Sequence, residues 1–513
     1  MAEKTSLRGM YDELMSRTKD LIVMGGVESL VHWDLETKMP PRGIGLRSEE
    51  LSLISQISHR MTVDPRVGEL LLAMEKDPGY GKLAEVERRN VHLIRKNYDE
   101  ETKLPERLVM ELARQRAVTV DVWKKAKAAK DFSSFKPELE KQVMLMKEAA
   151  AILKDVKGTK TSYDALIDRF EPKMSADAIS PIFDDLRRGI SQVLERCVSS
   201  SRQPNLDLLS RRVPIEVQRE IAVSLSEFLL YDVVSKQAGG RIDETEHPFT
   251  TGFYDDVRIT THYHESLPTS SVFSVMHESG HATYEQNLRR DWMYQPVGTA
   301  CSFGFHESQS RFCENMVGRS KEFWSFYLPK FKELTKGAFS GANLEDFVLA
   351  INAVHPSKVR TEADEVTYGF HIIIRFEIER DLFADKIAVS ELPSVWNEKY
   401  REYMGVKVEN DSEGVMQDTH WASGMFGYFP SYALGNIYSG QIRHTLEQKL
   451  PGWRSRIAKG DFAPVRDWLT TNLYAYGNLY DPVDLLKKVT GEGINVAHYI
   501  DYLNEKYSEL YGY

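Results

Sequence analysis

The sequence predicts a mainly α fold interrupted by one small β element, and two changes of periodicity carry that prediction. Through the first two hundred residues apolar side chains recur at three- and four-residue intervals, as in Leu7, Met10, Tyr11 and Leu14, then Leu51, Ile54 and Ile57. That is the period of helices with one buried face. Pro105 suits the first turn of a helix carrying Leu108 and Leu112, and Pro137 is expected to open another with Leu139, Val143 and Met146. Lys124, Lys125, Lys127 and Lys130 read as the solvated face of such a helix. Between Gly239-Gly240 and Pro268 the period falls to two, and Asp256-Val-Arg-Ile-Thr-Thr-His-Tyr263 reads as a half-buried strand between turn residues. Just after it, Ser270-Ser271 are expected to cap a helix beginning at Val272-Phe273.

Composition narrows the function classes. The 513 residues carry 66 Lys and Arg against 76 Asp and Glu, a formal charge of −10, with no long basic run or arm. Binders of nucleic acid or of anionic membranes need the opposite balance, so both partners are excluded. Three cysteines, Cys197, Cys301 and Cys313, make no paired framework, and no stretch approaches 18 apolar residues. With no export signal at its head, the chain is expected to be cytoplasmic. Length alone suggests about three domains of about 150 residues. No repeat and no Gly/Ser-rich linker marks a cut.

The chemistry concentrates in His277-Glu278-Ser279-Gly280-His281. On a helix, residues four apart share a face, so both imidazoles can reach one metal ion while Glu278, one step round, addresses a bound water. A catalytic zinc takes three protein ligands and keeps one open position, so a third ligand is needed. Glu285 lies one turn past His281 on the same helix and would have to bend back; it suits a supporting or surface role. Glu307, in His306-Glu307-Ser308-Gln309 beyond a loop with Pro296 and Gly298, has enough chain before it for a helical turn-back and is chosen as third ligand. Glu314, two turns on, is the fallback, with a salt bridge to a nearby arginine as its plainer role. His262 and His264 alternate onto one face of the strand and are expected to be strand-surface residues.

Taken together, these segments resemble the thermostable metallocarboxypeptidase (carboxypeptidase Taq) family. Further matches are His32-Trp33-Asp34 with Met39-Pro40-Pro41, Tyr163-Asp164-Ala165-Leu166 with Glu171-Pro172, His247-Pro248-Phe249, and Asp256-Val257-Arg258-Ile259-Thr260. The series continues with Val359-Arg360-Thr361-Glu362-Ala363-Asp364, Gln417-Asp418-Thr419-His420-Trp421, and Phe426-Gly427-Tyr428-Phe429-Pro430-Ser431-Tyr432. The resemblance implies a large helical subunit with a long deep groove, one metal ion per subunit, removal of C-terminal residues from peptides with broad preference, and a homodimer. Two positions depart from the pattern: Cys313 stands where an aromatic residue is common, and His262 where an arginine is frequent. Neither touches an expected ligand, and Cys313 reads as a small core residue.

The expected cofactor is Zn2+, with Co2+ or Mn2+ also acceptable to two histidines and a glutamate. In the expected reaction the ion lowers the pKa of its water, Glu278 takes the proton, and hydroxide attacks the last peptide carbonyl. The resemblance offers Tyr432 and His420 as donors to the oxyanion, with Tyr428 a close competitor. It also offers Arg360 as the guanidinium that binds the substrate carboxylate, although Arg360 and Asp364 could simply pair with each other. His247, Asp256 and Arg258 would line the groove end and limit substrate length, or Arg258 would be a strand residue held by Asp256. A peptide with a free C-terminus is thus the expected partner. The alternatives are an oligopeptidase or dipeptidyl carboxypeptidase of similar architecture, and a non-catalytic peptide-binding scaffold with a structural zinc, against which Glu278 weighs. Because the motif residues run from Trp33 to Tyr432, residues 1–513 are expected to form one helical domain, an N-terminal part (about 1–240) and a catalytic part (about 241–513) lining one groove.

Overall fold

Capping and burial decide where the first helices start. A computed structural model describes residues 6–513. Ser6 accepts from the Gly9 N–H at the head of α1 (Leu7–Thr37). Then come α2 (Glu85–Lys103), with Glu85 and Glu87 in its first turn, and α3 (Glu106–Ala129), which starts directly after Pro105. The expectation for Pro137 is corrected. The Asp131 carboxylate caps α4 (Phe132–Lys157) by accepting from Ser133 N–H, and buried Phe132 and Phe135 hold the extra turn against the core, so Pro137 lies inside the helix. The lysine face of α3 is corrected at one position. Lys124, Lys125 and Lys130 are exposed, but Lys127 turns inward and donates to the Gln417 carbonyl (2.8 Å), while Trp123 Nε1 donates to Met416 O (3.0 Å).

The β element is a three-stranded sheet of β1 (Gly240–Glu244), β2 (Thr250–Phe253) and β3 (Asp256–Thr261) in the order β1-β3-β2. β1 runs parallel to β3 and β2 antiparallel to it, with Thr250 opposite Ile259. The predicted strand ends two residues early because His262 turns its Nδ1 to Thr245 O (3.0 Å), where its ring meets that of His264.

The next helix, α5 (Pro268–Gln286), starts a turn earlier than Ser270-Ser271 suggested. Pro268 occupies the first helical position, where its missing N–H costs nothing, and Ser271 Oγ instead donates to Gln218 Oε1 (2.9 Å). Ser302 caps α6 (Phe303–Arg311), which runs on into a π-helical segment, Phe312–Gly318. Buried helices α7 (Tyr368–Phe383) and α8 (Pro430–Lys449) back it.

The molecule is 68% helical. Its main hydrophobic core draws on residues from Ala126 to Tyr511, and a small second core joins α1, the Pro65–Glu75 helix and α2 through Leu14, Leu70, Leu71 and Val91. Cys313 is buried in the main core, as expected, and all three thiols are free. Among the described residues no helix is long and apolar enough to cross a membrane. A cleft of about 940 Å3 opens between α2 and its neighbours on one wall and α5, α6 and the start of α8 on the other.

Candidate active site

Two glycines bring the ligand-bearing helices together. A Cβ on Gly280 would stand 2.7 Å from Gln309 O and 2.8 Å from Ser310 Cα, so α5 touches α6 backbone to backbone at that point. On the far side of α6, a Cβ on Gly435 of α8 would stand 2.9 Å from both Cβ and Cγ of Glu307. The helix carrying Glu307 is therefore gripped from two sides by positions that only glycine fills.

The result is a convergent donor set. One ligand atom each from His277, His281 and Glu307 lies within 4.8 Å of the others. Nε2 of His277 is 3.6 Å and Nε2 of His281 3.5 Å from Glu307 Oε2. Two imidazoles and one carboxylate with room for a fourth ligand suit a divalent ion of the zinc type. Supporting contacts agree. His277 turns Nδ1 to Glu314 Oε2 (3.0 Å), which leaves Nε2 free for a metal. Glu314 is itself held by Arg319 (3.1 Å) and Arg311 (3.4 Å), while Arg311 Nε donates to Glu307 Oε1 at 2.7 Å. Glu314 thus bonds the far side of the His277 ring and lies outside the convergent set. Burial disfavours a charged Glu307, but Arg311 and the imidazoles outweigh it and hold the carboxyl well below its usual range. Burial and the neighbouring His306 lower His281 to about 3, so this imidazole is neutral.

Glu278 is buried in the same cleft, and Thr250 of β2 donates its hydroxyl to Glu278 Oε2 at 2.6 Å. Burial raises the Glu278 carboxyl above its ordinary value. Thr250 was not apparent from the sequence, since it reaches the motif helix from a strand 28 residues away. His306 precedes Glu307 in the His306-Glu307-Ser308-Gln309 motif. It stacks on His281 (ring centroids 4.4 Å) and bonds Glu285 at 2.8 Å, which gives Glu285 the supporting role expected of it.

The remaining motif residues divide into those that meet the cleft and those that do not. Tyr428 and Tyr432 line it, their rings edge to face at 5.2 Å. His420 packs behind them, 5.4 Å from the Tyr428 ring, with its buried Nδ1 unpartnered and burial lowering it to about 4. Arg360 does not pair with Asp364, whose carboxylate instead accepts from the N–H groups of His355, Val366 and Thr367. Arg360 is buried, with Nε and Nη2 on Asp418 Oδ1 (3.1 and 2.9 Å) and Nη1 3.3 Å from the Tyr368 hydroxyl. Arg375, fully buried on α7, takes the other Asp418 oxygen at 2.6 and 2.8 Å. Asp256 and Arg258 bond each other at 2.7 and 2.9 Å, and Arg258 and Arg241 both lie against the Trp33 ring, at 4.4 and 4.6 Å from its centroid. Neither lines the cleft, and His247 is exposed at its approach, next to Pro248 and Phe249, which do.

Two buried glutamates bind the framework together. Glu379 accepts from Tyr163, Trp421 and Gly427, and Glu171 from Ser302, Gly304 and Tyr438. Burial lifts both carboxyls to about 7.

A family model for the carboxypeptidase Taq (M32) metallopeptidases matches residues 13–507. Thermostable carboxypeptidase 1 of Thermus thermophilus is 38% identical over 509 residues, 98% of this chain and 99% of that protein. Carboxypeptidase 1 of Bacillus subtilis is 38% identical over 484 residues, 94% of this chain and 95% of that one. The crystal structure of the M32 carboxypeptidase from Deinococcus radiodurans R1 superposes with a TM-score of 0.94 at 33% identity, covering 98% of this chain and 100% of that chain. With a histidine-histidine-glutamate donor set beside a buried glutamate, the chain belongs to the carboxypeptidase Taq (M32) family and is a metallocarboxypeptidase.

Proposed function

We propose that the metal is zinc and that the enzyme removes C-terminal residues from peptides with broad preference. The observation that carries this reading is the convergence of His277 Nε2, His281 Nε2 and Glu307 Oε2 in a cleft that also holds Glu278. When bound there, a divalent ion supplies Lewis acidity, polarising a carbonyl and lowering the pKa of water; cobalt or manganese would serve the same ligands. Glu278 accepts the proton from water and passes it to the leaving amine, with Thr250 fixing the carboxylate and burial making it a better base. The hydroxyls of Tyr428 and Tyr432, at the cleft wall, are the donors for the developing oxyanion, and His420 positions their rings.

Arg360 is the anchor for the substrate carboxylate in this reading. Its support is the surplus of two guanidinium groups over one carboxylate in the Arg360–Asp418–Arg375 cluster, with Arg360 Nη1 left only the 3.3 Å contact to Tyr368. His247 acts on substrate length from the approach to the cleft, while Arg258 is a strand residue held by Asp256. The same proposal includes a single domain over residues 1–513 and a cytoplasmic homodimer, which light scattering and cell fractionation test.

The decisive experiment is metal analysis with activity measured before chelation, after it, and after zinc or cobalt is restored. A peptide and its C-terminally amidated twin are the substrates. Zinc-restored release of the terminal residue from the free acid alone is expected, and equal cleavage of both would overturn the exopeptidase reading.

A further inference from the structure

One wall of the cleft carries an aromatic cluster of which the chemistry above uses only the Tyr428 hydroxyl. Phe170, Phe303 and Tyr428 meet edge to face in all three pairings, with centroids 5.5 Å (Phe170–Phe303), 5.0 Å (Phe170–Tyr428) and 5.4 Å (Phe303–Tyr428) apart. All three line the cleft, and Phe303 is 50% exposed there. A large apolar side chain left open in a concave site, within a well-ordered ring cluster, is the mark of a subsite.

The cluster is built rigidly. Phe303 N–H donates to Phe170 O (3.1 Å), and the Glu171 carboxylate ties the segment after Phe170 to both neighbours of Phe303, through Ser302 Oγ (3.0 Å) and Gly304 N–H (3.1 Å). Phe303 also sits four residues before Glu307 on α6, so the two share a face one turn, about 5.4 Å, apart. A substrate held at the donor set therefore lays a residue next to the scissile bond against these rings. Arg169, exposed on the same wall, has no acidic partner among the described residues and repels a cationic occupant.

Building on the carboxypeptidase reading, we infer that Phe170, Phe303 and Tyr428 form the pocket for a side chain flanking the scissile bond, one that selects aromatic and large apolar residues over small and basic ones. Apolar contact of this kind discriminates by roughly 10- to 200-fold.

The test measures kcat/KM for two peptide sets, varied to Phe, Leu, Ala or Lys on either side of the scissile bond, in the zinc-loaded enzyme and in the Phe303→Ala and Phe303→Tyr variants. The expected result is a Phe-to-Ala preference at one of the two positions that falls about tenfold in Phe303→Ala and is kept within about twofold in Phe303→Tyr. Arg169→Gln should raise the Lys peptide relative to the Phe peptide at that same position. An unchanged Phe-to-Ala ratio at both positions in Phe303→Ala overturns the inference while leaving the carboxypeptidase reading intact. Failure of the unsubstituted enzyme to release any terminal residue would instead overturn that reading.

Discussion

The donor set around Glu307 and the cluster around Asp418 are both buried charge networks, yet they are unbalanced in opposite directions. At the first, Glu278, Glu307 and Glu314 outnumber Arg311 and Arg319; at the second, Arg360 and Arg375 outnumber Asp418. A buried uncompensated charge is costly, so each surplus points to a missing partner of the other sign. In the proposed reading the first takes a cation and the second an anion, the two things a metal-dependent enzyme acting on a free carboxylate must bind. Tyr368 stands between them: Arg311 lies 4.3 Å over its ring and Arg360 contacts its hydroxyl. On that reading, catalysis and end recognition come from neighbouring clusters.

Substitutions that alter one cluster and spare the other sharpen this contrast. The largest effect is expected for Glu278→Gln, which should lower kcat by about 10³-fold while zinc content stays at the level of the unsubstituted enzyme. Retained kcat would remove Glu278 from the proton path. Next, Arg360→Met should cost about 100-fold in kcat/KM on a peptide with a free C-terminus and nothing on its amidated twin. A parallel loss on both would show that the Asp418 cluster merely supports the fold.

A smaller change is expected at Glu314, whose loss should act through His277. Glu314→Gln should weaken zinc binding by about 10- to 100-fold, measured by competition with a chelator, and leave the free-acid preference unchanged. The last effect concerns stability. The Glu171 carboxyl is raised from 4.5 to about 7 by burial, so the folded state favours its protonated form. That contribution is complete below pH about 4.5 and is lost as pH rises through about 7. Glu171→Gln should flatten the decline in unfolding free energy across that window by roughly 1–3 kcal/mol, seen in denaturant titrations at pH 4.5 and 7.5. An unaltered slope would mean that Glu171 is ionised in the folded protein.

The convergence of His277, His281 and Glu307 was legible in sequence because two histidines four residues apart obey local helix geometry and the glutamate follows a readable loop. Glu314 shows where that reasoning stops. Counting turns placed it on the face of Glu307, but Phe312–Gly318 is π-helical, which changes the number of residues per turn and swings its carboxylate to His277 Nδ1. The pairing of Arg360 with Asp418, 58 residues away, and of Arg375 with the same carboxylate was beyond any local rule, so spacing suggested Asp364 instead. Thr250 escaped for the same reason. Serine caps failed at α5 because a proline at the first helical position set the start one turn earlier. The helical class and the single β element were readable because both rest on period alone.

The close approaches at Gly280 and Gly435 limit how this enzyme can be changed. A helix held that closely on both sides can neither slide nor rotate, so the spacing of His277, His281 and Glu307 is fixed by the fold itself. Engineering a new substrate range has to proceed at the cleft walls, where side chains are free to vary, and redesign of the metal site must move three helices at once.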